Sequence, residues 1–103
     1  MQHFNYTCPE CGEVGTIHTS GSTPGFDVPC QDCCVEKVNL VVRETLERLG
    51  PTELPTLVTL IRERTGLEWI GPLRMMSLDV EWLRLHLRRV EGVEMRTVAG
   101  LKG

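Results

Sequence analysis

Five cysteines lie within the first 34 residues of a 103-residue chain, and four of them form two Cys-x-x-Cys pairs. Cys8 and Cys11 make the first pair, Cys30 and Cys33 the second, with 18 residues between Cys11 and Cys30. A two-residue gap lets both thiolates of a pair reach one tetrahedral ion from a tight turn, and two such pairs complete its coordination. That chemistry is structural zinc binding. Four thiolates leave no open position for water, which argues against a catalytic zinc. An iron–thiolate centre uses the same ligands, and spacing alone does not separate it from zinc. A redox dithiol from one pair lacks a surrounding strand–helix context of the thioredoxin kind. Cys34, next to the second pair, reads as a small buried residue opening a helix, with substitution for Cys33 as a ligand the sharper alternative. His3 and His18 are close by but superfluous to a four-cysteine site.

The elements that would position these thiolates are short. Gly12 follows the first pair, where a residue without Cβ lets the backbone turn under the sulfurs. Gly15–Thr19 reads as a strand, 21–25 (Gly-Ser-Thr-Pro-Gly) as a turn, and Phe26–Val28 as a second strand leading into the second pair. Residues 4–34 resemble the zinc-ribbon family in the four cysteines and Gly12. The resemblance implies an N-terminal ribbon over 1–34, with Zn held by Cys8, Cys11, Cys30 and Cys33. The spacing is also similar to that of polymerase-binding zinc-finger proteins related to DksA and TraR, although there the finger follows the helices.

Charge divides the chain at the same place. Residues 1–36 carry five acidic residues and no lysine or arginine, whereas 37–103 hold all 11 basic residues against nine acidic ones. Zinc with four thiolates adds two negative charges to the head. A nucleic-acid binder usually shows a basic domain, and the head is not one. The opening residues show no basic start followed by an apolar run, and no stretch reaches the ~18 apolar residues of a membrane span. The expectation is a soluble, cytoplasmic protein with paired thiols in a reducing compartment.

From Cys34 the pattern becomes helical. Val38, Val41, Val42, Thr45 and Leu49 share one face, and Gly50-Pro51 is a stop. A second helix is expected from an N-cap at Thr52 to Gly66, burying Leu57, Leu60 and Ile61. The apolar stretch 67–76 contains Gly-Pro and reads as a packed loop or one short turn. Ser77, Asp79 and Glu81 announce a third helix to about Glu91, followed by a strand over Val93–Val98 and a tail over 99–103. Arg62–Leu67 and Leu83–Val93 resemble the winged-helix-turn-helix family, as the end of its second helix and as a recognition helix entering a wing. The implied fold class is α+β: a small β zinc ribbon over 1–34 followed by a three-helix, winged-helix-like domain over 35–103. Two departures stand out. The link between the second and third helices is some ten residues, not a turn of three or four, and the chain stops before a returning wing strand.

Three sectors divide the third helix: an apolar stripe of Val80, Leu83, Leu87 and Val90, a mixed stripe of Glu81, Arg84, Arg88 and Glu91, and a sector of Leu78, Trp82, Leu85 and Arg89. Paired, Arg84–Glu81 and Arg88–Glu91 make an ordinary solvated surface. Phosphate contacts would fall to Arg62, Arg64, Arg74, Arg84, Arg88 and Arg89. Trp82 and Leu85 would then be either buried under the 67–76 loop or the ribbon, or exposed as a protein interface or homodimer patch. No phosphate-cradling glycine loop, HExxH or paired-carboxylate setting argues for an enzyme. The expected function is a non-enzymatic, transcription-related regulator that binds DNA. The alternative is a protein-binding adaptor or inhibitor docking on RNA polymerase or another nucleic-acid-handling partner.

Overall fold

The computed structural model describes residues 2–19, 26–73, 76–95 and 98–101. Strands β1 (Gln2–Thr7) and β2 (Val14–Thr19) open the chain, followed by helices α1 (Gln31–Leu49), α2 (Leu54–Thr65) and α3 (Val80–Leu87). Strands β3 (Val93–Met95) and β4 (Ala99–Leu101) close it. The architecture is a small α+β protein with two separate antiparallel two-stranded sheets.

The first hairpin is not the expected one. β1 pairs with β2 from Gln2 opposite Thr19 to Thr7 opposite Val14, so the first cysteine pair sits in the connection between the strands. Phe26–Val28 is a turn rather than a strand, and the 21–25 turn cluster lies outside the described residues. Alternation is the reason. Phe4 and Tyr6 share a face with Ile17 and pack with Cys8, while His3, Asn5 and Thr7 face outward. That period of two makes residues 2–7 the better strand. Tyr6 then donates its hydroxyl hydrogen to the Val28 carbonyl, tying the 26–29 turn to the hairpin.

α1 begins at Gln31, ahead of the expected Cys34, with Cys30 as its N-cap. It therefore runs through the compositional boundary between residues 34 and 35. Its inner face (Cys34, Val38, Val41, Val42, Thr45, Leu46) is buried. α2 starts one residue later than an N-cap at Thr52 would give. Glu53 is the cap, because Thr52 is held by a bridge to Ala99, its N–H donating to the Ala99 carbonyl at 2.9 Å. Gly66 closes α2 in the left-handed conformation (φ 72°), donating to the Arg62 carbonyl. Leu57 and Ile61 are buried as expected, whereas Leu60 is only half-buried.

The link between α2 and α3 carries backbone pairing at both of its ends. Ile70 donates to Met76 and Leu78 to Glu68 across a Trp69–Ser77 bridge, which buries Ile70 and Leu78. Gly71, at φ 98°, lies against the first residue of α1, where a Cβ would meet Gln31 at 3.7 Å. α3 is shorter than expected. Asp79 caps it by accepting from the Trp82 N–H at 2.8 Å, and after Leu87 the chain turns towards Gly92 instead of continuing to Glu91. β3 covers the first half of the expected strand; Arg96 and Thr97 lie outside the described residues. The expected tail is β4, which returns along β3 with Val93 opposite Leu101.

One core joins the three helices to the second hairpin. Leu57, Ile61, Leu78, Leu83 and Leu87 are fully buried among Val38, Val42, Val93 and Ala99. Each such large aliphatic contributes about 1.5–3 kcal/mol by leaving water. Among the described residues no helix is long and apolar enough to cross a membrane.

Candidate metal centre

Two different local structures bring the four cysteines together. The first pair occupies a tight turn closing β1–β2: Cys8 N–H donates to the Glu13 carbonyl at 2.9 Å and Gly12 N–H to the Cys8 carbonyl at 3.0 Å. Gly12 has φ 76°, a conformation side-chain-bearing residues rarely adopt. The second pair occupies the start of α1, Cys30 at the cap and Cys33 in the first turn. The pairs thus meet as a hairpin turn against a helix end.

All four sulfurs lie within 4.8 Å of one another. Cys8 and Cys33 are 3.8 Å apart at sulfur, and Cys11 and Cys30 are 3.9 Å apart. Sulfurs at about 2.3 Å from one tetrahedral ion are separated by roughly 3.8 Å. The cluster has the dimensions of a tetrathiolate metal site, and these four residues could hold a metal ion.

The electrostatics agree. Burial opposes ionisation of Cys8, but backbone N–H groups of Cys11, Cys30 and Glu10 aimed at its sulfur more than offset this and lower its pKa from 9.0 to about 5. Glu10 N–H lies 3.4 Å and Cys30 N–H 3.3 Å from that sulfur. The neighbouring thiols move the other way. Cys33 is raised, first by its contact with Cys30 and then by burial and the remaining thiols. Cys11 is also raised: the Glu13 backbone favours its thiolate, but contact with Cys8 and burial outweigh it. Once one thiolate forms, like charges crowd the rest, and a cation at the centre removes that penalty. A salt bridge of 2.8 Å between Lys37 on α1 and Glu10 in the turn clasps the two halves of the site.

Cys34 is not part of the cluster. Its sulfur is fully buried in the helical core and donates to the Pro29 carbonyl at 3.3 Å. Burial pushes its thiol pKa up. His3 and His18 are exposed on the outer face of the hairpin, away from the sulfurs.

Of the six arginines considered for phosphate contact five are described, and three of these are engaged by protein groups. Arg62 donates through Nε to the Leu78 carbonyl at 3.1 Å, which locks the α2–α3 link. Arg64 pairs with Glu44 at 3.3 Å and Arg84 with Glu81 at 3.1 Å. Arg88 and Arg89 are exposed, and no Arg88–Glu91 pair occurs among the described residues. Arg74 lies outside the described residues. Trp82 is half-buried against the core and stacks on His86 with centroids 4.8 Å apart, while Leu85 beside it is exposed.

Sequence reasoning missed three supporting contacts. His86 and Asn39 are joined by a hydrogen bond of 2.7 Å that ties α3 to the middle of α1. Lys37–Glu10 and Tyr6–Val28 brace the metal end. Only Tyr6 carried a local signal, its alternation with Phe4; the others join residues far apart in the chain. No protein-family model matches the chain, and no curated protein or solved structure matches it.

Proposed function

We propose that this chain is a non-enzymatic, transcription-related regulator whose head is stabilised by one zinc ion and whose helical body binds DNA as a winged helix. The observation that carries the reading is the return of β4, which pairs with β3 and also bridges back to Thr52 in the α1–α2 connection. Three helices followed by such a hairpin match the winged-helix order, in which the third helix and the wing meet the duplex. On that reading Arg84 on α3, with Arg88 and Arg89 in the turn that follows it, would face a phosphate backbone, and all three are exposed. Zinc suits the head because it is borderline-soft, redox-inert and content with four thiolates. When bound it supplies cross-linking, not catalysis.

A second reading has its own support. Arg62, Arg64 and Arg84 are already engaged by protein groups. Asp79 and Glu81 also place negative charge at the start of α3, against an approaching phosphate. Both features favour an adaptor or inhibitor that docks on a basic partner, such as a nucleic-acid-handling protein, without touching DNA.

Fluorescence anisotropy of the metal-loaded protein against labelled random duplex, across a salt series, separates the two. DNA binding predicts an affinity of roughly micromolar at low salt, a steep loss as salt rises, and a salt slope smaller by about one when Arg88 is replaced by Gln. Absence of binding at low salt would overturn the DNA reading and leave the adaptor.

A further inference from the structure

We infer that His3 and His18 form a second, exchangeable transition-metal site on the outer face of the N-terminal hairpin. The two residues are direct cross-strand partners in the β1–β2 register. Their rings meet edge to face with centroids 4.4 Å apart. Directly opposed residues on one sheet face are the closest non-local neighbours a hairpin offers. The opposite face of the same strands is spent on Phe4, Tyr6 and Ile17, so both imidazoles project into water.

Among the described residues, neither His3 nor His18 has a hydrogen-bond or ion-pair partner, and their one contact is with each other. Two exposed imidazoles held this close can each turn a ring nitrogen towards one ion. Nitrogens binding one ion at about 2.0–2.1 Å in adjacent positions lie roughly 3 Å apart. Small rotations about the side-chain bonds reach that spacing from the observed ring contact.

The flanking residues on that face, Asn5 and Thr16, are exposed and uncharged. Among the described residues this face supplies two imidazole nitrogens as ligands, and water completes the shell. Such a donor set selects imidazole-preferring divalent ions (Cu2+, Ni2+ or Zn2+) over Mg2+ or Ca2+, which require oxygen ligands. It differs from the cysteine cluster in both chemistry and place. His3 precedes Cys8 by five residues, about 16 Å along an extended strand. The cysteine site is closed and retains its ion; the histidine site is open and exchanges it.

The test is a Ni2+ titration of the full chain with its cysteine site already zinc-loaded, followed by calorimetry and by the imidazole proton resonances in NMR. One further ion should bind per chain, perturbing His3 and His18 while leaving His86 unmoved. His18→Thr, which keeps a strand-compatible residue at an exposed position, should weaken binding by roughly tenfold or more, the scale at which even supporting groups of a metal site count. His3→Thr should do the same. Unchanged affinity in His18→Thr would show that His3 captures nickel without its cross-strand partner, and would overturn the pair. So would perturbation of His86 alone, or no binding beyond the zinc.

Discussion

The two ends of this molecule reach order by different means. Among the described residues the head's own buried apolar cluster is Tyr6, Cys8 and Ile17, whereas the helical body buries a continuous cluster of sixteen side chains from Cys34 to Ala99. Three side chains cannot offset the entropy of ordering a hairpin and its turns. A metal ion, which its four sulfurs could hold, would supply the head with the order that the body draws from its own core. α1 belongs to both, since its first turn carries Cys33 and its later turns carry Val38, Val42 and Leu46 in the body's core. A metal held there would stand in locally for a core, with α1 as the rigid element joining the head to a part that already has one.

Removing the metal is the strongest way to break this contrast. Chelation, or Cys11→Ser, should unfold residues 2–19 and 26–30 and fray the first turn of α1, at a cost on the order of 10 kcal/mol of binding free energy. Helical circular dichroism should fall only slightly, and amide exchange should rise in the head alone. Simultaneous loss of the whole helical signal would mean the body has no independent stability. The converse variant is Leu83→Ala, at a fully buried position in α3. It should destabilise the body by about 2–5 kcal/mol in denaturant melts while metal stoichiometry stays unchanged.

How much of this division was legible beforehand depends on which residues carried the signal. The clustering of the four cysteines was readable because Cys-x-x-Cys spacing and Gly12 encode a turn directly. The end of α2 was readable because Gly66 is a left-handed cap. β1 was missed because its alternation spans six residues and buries only one face of a two-stranded sheet. The same Cys-x-x-Cys pattern that revealed the second ligand pair hid the fact that it opens α1: it reads as a ribbon knuckle, yet Cys30 is a helix cap. β4 was illegible in Ala-Gly-Leu, which has little strand preference and pairs because β3 and Thr52 offer it backbone partners. Asn39 and His86, 47 residues apart, carry no local sign of their hydrogen bond.

Smaller effects sharpen the comparison within the body. The Thr45 hydroxyl is buried in α1 with no hydrogen-bond partner among the described residues. Thr45→Val keeps the shape and removes that unsatisfied group, so it should stabilise the body by about 1 kcal/mol, visible as a higher denaturation midpoint. A loss of stability would show that the hydroxyl is satisfied in solution.

The mildest effect is that of pH on the α1–α3 contact. Burial first, and then the nearby positive charge of Arg89, hold His86 below its ordinary pKa of 6.5. The folded body thus favours the neutral ring, and the unfolded chain binds the extra proton more readily. Stability from this residue is present above pH 6.5 and declines as pH falls through that value. An NMR titration of His86 should give a midpoint below 6.5, and a midpoint above it would reverse the sign.

Cobalt titration of the metal-free chain under reducing conditions tests the metal-centred account most directly. One equivalent should produce the intense visible bands of tetrahedral thiolate-bound Co2+ together with recovery of the hairpin's amide protection, and one equivalent of Zn2+ should bleach those bands. Weak octahedral bands, or tetrahedral binding with no gain of structure in residues 2–19, would contradict it.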